Sequence, residues 1–161
     1  MNIKTLVANG LLAALYIAIT MLIQPISFTN IQLRIPEMLN HLVVFNKKYI
    51  YGIVLGVFLA NLFFSPIAPY DLTFGVGQSI LSLLITIMIS KYIKGVRLRM
   101  IMNTAVFTVT MFLIAIELHL AYHLPFFFTW LTTAIGECIV MAVGAPIMSI
   151  IDKRIHFKTL I

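Results

Sequence analysis

Long apolar stretches dominate this sequence and constrain its fold more than any other feature. Hydrophobic residues make up 61% of the 161 residues, charged residues only 10%, and the mean hydropathy is +1.07. Because a soluble fold cannot remove this much apolar surface from water, the composition excludes a soluble globular enzyme, a disordered chain and a disulfide scaffold. It predicts a multi-pass integral membrane protein with one transmembrane domain over residues 1–161.

Six apolar stretches predict an all-α bundle of six transmembrane helices. They cover residues 5–24, 35–45, 49–64, 72–93, 100–122 and 126–151. Four are long enough for a hydrocarbon core of about 30 Å at about 1.5 Å per residue, and the third is slightly short. The second has the length of a re-entrant or interfacial segment, so we expect it to be short or distorted.

The basic residues predict the orientation of the bundle. The net charge is +6, from 11 Lys and Arg against 5 Asp and Glu. If the second stretch crosses the membrane, ten of the 11 basic residues lie on the cytoplasmic side and only Arg34 lies outside. If it does not cross, the four-charge loop from Lys91 to Arg99 lies outside, against the positive-inside rule. We therefore expect both termini in the cytoplasm, a cell-membrane location and no nucleic-acid partner.

Polar side chains within the apolar stretches are the candidate functional residues, because ionisable groups inside a membrane are costly. In the expected topology four of the five acidic residues fall in the outer half, and polar residues from five helices converge there. This arrangement predicts a binding pocket open to the outside. Its candidate residues are Arg34, Glu37, Asn40, Asn61, Asp71, Gln78, Glu117, Trp130 and Glu137.

The charge of this predicted pocket indicates what it binds. Four carboxylates against Arg34 leave an excess of three, which suits a small molecule that is cationic or rich in N–H donors. Glu137 lies about eleven residues past Phe126, or roughly 16 Å along the helix and near the membrane midplane. Trp130 and residues 126–128 offer flat surfaces for stacking a ring or a cation.

Structural explanations compete for several of these residues. Arg34 and Glu37 have the spacing of a simple interfacial pair, and Asp71 follows Pro69 at a position suited to a helix N-cap. The aromatic residues at 126–130 also fit an interfacial belt.

A metal site is a further alternative in the fifth helix. Glu117, His119 and His123 offer two imidazoles at i, i+4, but no further ligand is apparent. We favour interfacial histidines over metal transport. No phosphate-binding loop and no metalloprotease or serine-hydrolase motif is present, so we do not expect an enzyme.

Two helices carry small residues at four-residue spacing, which allows close helix packing in lipid. The stripes are Gly10, Ala14 and Ala18 in the first helix and Gly52, Gly56 and Ala60 in the third. Packing inside the bundle explains either stripe, and two stripes leave room for one to be a docking face for another protein.

Several segments together resemble the QueT family, the substrate-binding subunits (S components) of energy-coupling factor transporters associated with import of queuosine precursors. The resemblance covers essentially the whole chain. The segments that carry it are LLAALYIAIT, IQLRIPEMLN, NKKYIYGIVLGVFLANLF, SPIAPYDLTFG, ELHLAYHLPFFFTWLTTAIGE and the basic residues after the last helix.

This resemblance implies a six-helix subunit that holds a vitamin-like ligand near the outer face and has no cofactor of its own. It implies docking onto a transmembrane coupling subunit (T component) and two ATP-binding subunits, which use the ATP. The family's A-x-x-x-A contact corresponds to Ala14 and Ala18, with Gly10 on the same stripe. The implied ligand is a 7-deazaguanine such as 7-aminomethyl-7-deazaguanine, and we expect a loop around residues 27–34 to close over it.

Two rival functions remain at the level of sequence. One is an S component for another vitamin or nucleobase, since pocket residues can change without changing the bundle. The other is a stand-alone channel or proton-coupled carrier that uses Glu137 and Glu117 as a relay. No internal repeat is visible, which disfavours a secondary transporter built from two halves.

Overall fold

The chain folds into a bundle of helices, and the computed structural model describes residues 3–27 and 33–161. No strand occurs within these ranges. The helices are α1 (Ile3–Ser27), α2 (Leu42–Phe45), α3 (Ile50–Phe64), α4 (Ala68–Tyr70), α5 (Val76–Ile89), α6 (Val96–Thr110), α7 (Phe112–Tyr122), α8 (Phe126–Ile155) and α9 (Phe157–Leu160). Two 3-10 segments, Ile35–His41 and Lys47–Tyr49, and a π-helical turn, Asp71–Gly75, join some of them.

Five helical stretches in the described ranges are long and apolar enough to cross a membrane. They are Ile3–Gln24, Lys47–Phe64, Ala68–Ile89, Val96–Tyr122 and Phe126–Ile155. The prediction of an all-α, multi-pass membrane protein is confirmed. The second predicted stretch forms a shorter apolar helix, Ile35–Phe45.

Helices α1 and α3 lie side by side and run in the same direction. Near their first turns, Oδ1 of Asn9 accepts a 2.7 Å hydrogen bond from the backbone N–H of Gly52. Near their last turns, Nε2 of Gln24 donates a 3.3 Å hydrogen bond to the backbone oxygen of Phe64. Because α1 and α3 run in the same direction, the chain between them must return to the end of the bundle where α1 begins. Residues 33–46 are the described part of this returning segment.

The returning segment is buried between the long helices. Pro36 lies in the first turn of its 3-10 helix, where a missing N–H costs nothing. A 3-10 helix rises about 2.0 Å per residue instead of about 1.5 Å, so it covers more distance with few residues. Gly144 of α8 makes room for it, since a Cβ there would lie 2.5 Å from the Cβ of Met38.

The remaining long helices alternate in direction. Gln78 and Thr86 of α5 bond Thr110 and Asn103 of α6 at 3.0 and 2.7 Å, which is an antiparallel pairing. Ser149, late in α8, reaches the sulfur of Met100, early in α6, at 3.3 Å. The starts of α1, α3 and α6 and the ends of α5 and α8 therefore share one end of the bundle, here called the basic end. Its cations are Lys4, Lys47, Lys48, Lys91, Lys94, Arg97, Arg99, Lys153, Arg154 and Lys158.

The two stripes of small residues have different surroundings. A Cβ on Gly52 would lie 2.7 Å from the backbone oxygen of Asn9, and one on Gly56 would lie 2.7 Å from the Cβ of Tyr16. That stripe packs α3 against α1. In contrast, a Cβ on Gly10 meets no atom within 4 Å, and Gly10, Ala14 and Ala18 are all exposed on the opposite side of α1.

Candidate functional site

A chain of hydrogen bonds in the bundle interior joins α1 to the returning segment. The hydroxyl of Tyr16 donates a 2.8 Å hydrogen bond to Oε1 of Glu37, and Nδ2 of Asn40 donates to Oε2 of the same carboxylate. Tyr16 is 4% exposed and Glu37 is 1% exposed. Both oxygens of this buried carboxylate thus have a donor, as burial of a polar group requires.

A second group of side chains surrounds Asp71 at the opposite end of the bundle from the basic end. The guanidinium of Arg34 lies 2.8 Å from Oδ1 of Asp71 in a buried ion pair. The hydroxyl of Ser65 donates to Oδ2 at 2.5 Å, and Nδ2 of Asn61 donates to the backbone oxygen of Asp71 at 3.2 Å. Gly75 faces this group, because a Cβ there would lie 2.9 Å from Nδ2 of Asn61. Asp71 therefore anchors a tertiary contact between three segments, which are the returning segment, the end of α3 and the π-helical turn.

Two further carboxyl groups, those of Glu117 and Glu137, interact electrostatically with these two groups of side chains but accept no hydrogen bond from them. Glu117 of α7 is fully buried, and Glu137 of α8 is 1% exposed. No described side chain or backbone group forms a hydrogen bond of sound geometry with either carboxylate. Glu117 interacts electrostatically with Asp71 and Arg34, and Glu137 with Glu37 and Arg34. Buried polar atoms are normally paired, so these two carboxylates need an explanation beyond packing.

Arg34 is the cation of this cluster and stays charged. Burial by itself lowers the pKa of its guanidinium, but the nearby carboxylates of Asp71, Glu117 and Glu37 raise that pKa above its ordinary value. Among the described side chains, four carboxyl groups of this cluster accompany this one cation, an excess of three acidic groups. Such an excess in a buried site favours a positively charged or donor-rich partner.

The structure brings seven of the nine predicted site residues into this cluster: Arg34, Glu37, Asn40, Asn61, Asp71, Glu117 and Glu137. The other two bond elsewhere. Gln78 is buried and donates to the hydroxyl of Thr110 at 3.0 Å. Trp130 is half-buried, and its Nε1 donates to the backbone oxygen of Val109 at 3.2 Å.

Tyr16 and Ser65 belong to the cluster but were not predicted from the sequence. A phenol in the middle of an apolar helix is a usable signal, since a buried tyrosine hydroxyl normally has a hydrogen-bond partner. Ser65 follows α3 directly and gives no such signal.

A separate polar network, also not predicted, fixes the 3-10 helix Ile35–His41, α5, α6 and α8 against one another. His41 is fully buried, with Nε2 2.9 Å from the backbone oxygen of Met141 and Nδ1 3.1 Å from Nδ2 of Asn103. Asn103 in turn accepts from the hydroxyl of Thr86. Because the amide of Asn103 donates to Nδ1, the proton of a neutral His41 belongs on Nε2, where it bonds Met141.

Two histidines at the end of α7, His119 and His123, and two aromatic residues at the start of α8, Phe127 and Phe128, lie at the bundle surface. Phe127 is 79% exposed and Phe128 is 67% exposed, which fits an interfacial belt better than a ring-stacking wall. His119 bonds the backbone oxygen of Leu124 at 2.7 Å, and His123 ends α7 in a left-handed conformation. Within the described residues, no three His, Cys, Asp or Glu side chains form a group that could hold a metal ion.

Comparison with known proteins decides the family. Residues 6–153 match the family described as QueT transporter. The chain is also similar to the queuosine precursor transporter QueT of Lactococcus lactis subsp. cremoris (strain MG1363), with 33% identity over 162 residues that cover 95% of each chain. The chain belongs to the QueT transporter family. No solved structure matches it.

Membership of the QueT family makes the chain a transporter, and its long apolar helices make it a multi-pass membrane protein. The matched range includes the cluster residues of all six contributing segments, from Tyr16 of α1 to Glu137 of α8. The expected closing loop at residues 27–34 lies largely outside the described residues.

Proposed function

We propose that this chain is the substrate-binding subunit of an energy-coupling factor importer and that it captures a queuosine precursor from outside the cell. Its relative in Lactococcus lactis is named a queuosine precursor transporter, which supports the choice of substrate. The chain itself contains no phosphate-binding loop motif, so ATP hydrolysis belongs to partner subunits.

The single observation that carries the proposal is the pair of buried carboxylates, Glu117 and Glu137, that no described group satisfies. Both oxygens of Glu37 and both oxygens of Asp71 already accept hydrogen bonds or ion pairs. A ligand therefore finds two carboxyl groups available, in a site where acidic groups outnumber the one described cation.

A 7-deazaguanine with an aminomethyl group matches this pair chemically. Its guanine-like edge presents adjacent N–H donors, which one carboxylate accepts as two parallel hydrogen bonds. Its aminomethyl cation pairs with a second carboxylate. We assign the guanine-like edge to Glu137 and the cation to Glu117, which lies beside Asp71 and Arg34.

The proposed topology has six membrane crossings with both termini in the cytoplasm. The parallel arrangement of α1 and α3 supports it, because the returning segment must then run from one end of the bundle to the other. The gathering of ten of the 11 basic residues at the basic end supports a cytoplasmic position for that end. Arg34 and Asp71 then lie toward the outside.

The exposed stripe of α1 is the proposed docking face for the transmembrane coupling subunit. Gly10, Ala14 and Ala18 are exposed, whereas the equally spaced stripe of α3 is buried inside the bundle, where its glycines pack against α1. Small residues allow a partner helix to approach closely in lipid.

Ligand binding by itself completes no transport cycle, since a ligand shifts a conformational equilibrium only by the difference between its affinities for the two states. Release inside the cell therefore depends on the ATP-binding subunits.

The test is the thermal stability of the detergent-purified chain against a panel of deazapurines, purines and vitamins. A ligand present at a hundred times its Kd stabilises the folded state by about 2.7 kcal/mol. We expect stabilisation by 7-aminomethyl-7-deazaguanine in the parent chain and its loss in Glu137→Gln. Asp152→Asn is the matched control, because it removes the acidic group that lies outside the cluster.

The other outcomes overturn defined parts of the proposal. Stabilisation by a different compound would keep the binding subunit and change its substrate. An unchanged response in Glu137→Gln would remove Glu137 from the site. Stabilisation by no compound, together with pH-dependent proton flux by the chain alone in vesicles, would favour a relay through Glu117 and Glu137.

A further inference from the structure

Glu117 and Asp71 form a pair of buried carboxyl groups. The two groups approach each other closely enough for charge and side-chain hydrogen bonding to act between them. Asp71 already has two donors, the guanidinium of Arg34 at 2.8 Å from Oδ1 and the hydroxyl of Ser65 at 2.5 Å from Oδ2. Glu117 is fully buried and accepts a hydrogen bond from no described donor. Asp71 is therefore the anion of the pair, and Glu117 is the member that lacks support for a negative charge.

A proton on Glu117 resolves this imbalance. Two ionised carboxylates form no hydrogen bond with each other, because neither has a hydrogen to donate. They also repel each other in a buried site, and closely paired carboxyl groups therefore share one proton. With a proton on Glu117, its contact with Asp71 becomes an O–H···O hydrogen bond, and the uncompensated buried charge is removed.

The other groups around Glu117 do not offset a negative charge on it. The one cation among them is Arg34, whose guanidinium is already paired with Asp71. His119, on the same helix as Glu117, is exposed and bonds the backbone oxygen of Leu124. The remaining titratable groups that the neighbouring elements bring to the cluster are Tyr16 of α1, Glu37 of the returning segment and Glu137 of α8.

We propose that Glu117 carries a proton before the ligand binds and that the ammonium group of the ligand replaces this proton. The inference rests on the proposed function, in which an aminomethyl cation pairs with Glu117. The O–H bond of Glu117 breaks, its proton leaves to the solvent, and the resulting carboxylate accepts N–H hydrogen bonds from the ammonium group. One positive charge enters as one leaves, so the net charge of the site stays the same.

Isothermal titration calorimetry of the purified full chain with 7-aminomethyl-7-deazaguanine counts the released protons. The titration is repeated at one pH in buffers with different enthalpies of ionisation, since each proton taken up by the buffer adds the heat of that buffer. We expect the parent chain to release about one proton more per bound ligand than Glu117→Gln, which has no proton to lose at this position. Asp152→Asn, outside the cluster, is the matched control and should release as many protons as the parent chain.

The same exchange gives the affinity a pH dependence of defined sign. Because binding expels a proton, a higher proton concentration opposes binding. We expect the Kd of the parent chain to rise by up to about tenfold for each pH unit lowered, as long as the ligand stays cationic. In Glu117→Gln this dependence should be weaker by the contribution of one proton.

Infrared difference spectroscopy tests the stored proton without a ligand, so it also covers a variant that binds too weakly for calorimetry. A protonated carboxyl group has a C=O stretching band that is distinct from the bands of a carboxylate. This band should be present in the parent chain and reduced in Glu117→Gln, whereas Asp152→Asn should leave it unchanged. Addition of 7-aminomethyl-7-deazaguanine to the parent chain should also reduce it.

The possible failures are distinguishable. Ligand binding with equal proton release in the parent chain and in Glu117→Gln would overturn this inference and leave the proposed function standing. An infrared band of equal size in these two chains would do the same. If the parent chain binds no deazaguanine, the proposed function and the exchange fall together, and the infrared band still decides whether Glu117 carries a proton.

Discussion

The hydroxyl of Tyr16 donates a 2.8 Å hydrogen bond to Glu37, across 21 residues of sequence. This contact connects α1, which carries the exposed stripe of small residues on its other side, to the interior cluster of carboxylates. Tyr16 also packs closely against Gly56 of α3. The side chain of Tyr16 thus contributes both to the packing of α1 on α3 and to the candidate site.

Replacing Tyr16 with phenylalanine removes this hydrogen bond and leaves the ring in place. Because the acceptor is a buried carboxylate, we expect the free energy of unfolding to fall by about 1.5–3 kcal/mol. Thermal or denaturant unfolding in detergent measures the change. Tyr92→Phe is the matched control, since Tyr92 is 86% exposed and should have no effect. Equal stability of the two variants would contradict the buried hydrogen bond.

Removing one partner of the Arg34–Asp71 ion pair should lower the free energy of unfolding, and removing both partners should lower it by less than the sum of the single changes. Asp71→Asn removes the carboxylate that lies 2.8 Å from the guanidinium but leaves Glu117 and Glu37 nearby, and we expect a loss of about 1.5–3 kcal/mol. Arg34→Met combined with Asp71→Leu removes both charges and should cost less than the sum of the single changes. A double-mutant cycle on the free energy of unfolding measures the difference. Simple additivity would show that the two groups do not interact.

The glycines of α1 and α3 should respond oppositely to alanine. A methyl group on Gly52 would lie 2.7 Å from the backbone oxygen of Asn9, so Gly52→Ala should destabilise the chain by about 1–3 kcal/mol. Gly10 has open space around it, and Gly10→Ala should be neutral or stabilise the helix by up to about 1 kcal/mol. Unfolding temperatures of the two variants provide the comparison, and a reversed order would refute the packing of α1 on α3.

Bulky residues on the exposed stripe should separate binding from transport. In Ala14→Leu with Ala18→Leu, we expect ligand binding to stay within about twofold of the parent and ATP-dependent uptake to be lost, because the partner helix can no longer approach. Binding is measured on the purified chain, and uptake in cells that contain the coupling subunits. Ala142→Leu, on the exposed surface of α8, is the control. An equal fall in binding and uptake would mean that the stripe supports internal packing.

Much of the fold could be predicted from the sequence, because each helix that crosses a bilayer must be a continuous run of mainly apolar residues. Continuous apolar stretches identify the long helices, and the short stretch at Ile35–Phe45 is visible as an exception. The same logic located the interior acids, since Glu117 and Glu137 stand out within apolar helices.

The partners of these residues could not be predicted, because they depend on which helices meet. Arg34 pairs with Asp71 of the turn before α5, 37 residues away, through a contact that spacing does not encode. The two glycine stripes have the same period, yet one is internal and the other exposed. Gln78 was predicted as a site residue, but its side-chain amide donates to the hydroxyl of Thr110 on α6.

The parallel pairing of α1 and α3 also bears on how the protein is assembled in the membrane. The returning segment carries Glu37, Asn40 and His41, whose side chains form hydrogen bonds with α1, with each other, with α6 and with α8. A segment this short, with three polar side chains in its middle, has little affinity for a bilayer on its own. We therefore expect it to take its place only when the helices that enclose it are present, including α8, which comes later in the chain. We expect stable insertion of this segment to depend on α8, where the backbone oxygen of Met141 bonds His41 across a hundred residues of sequence.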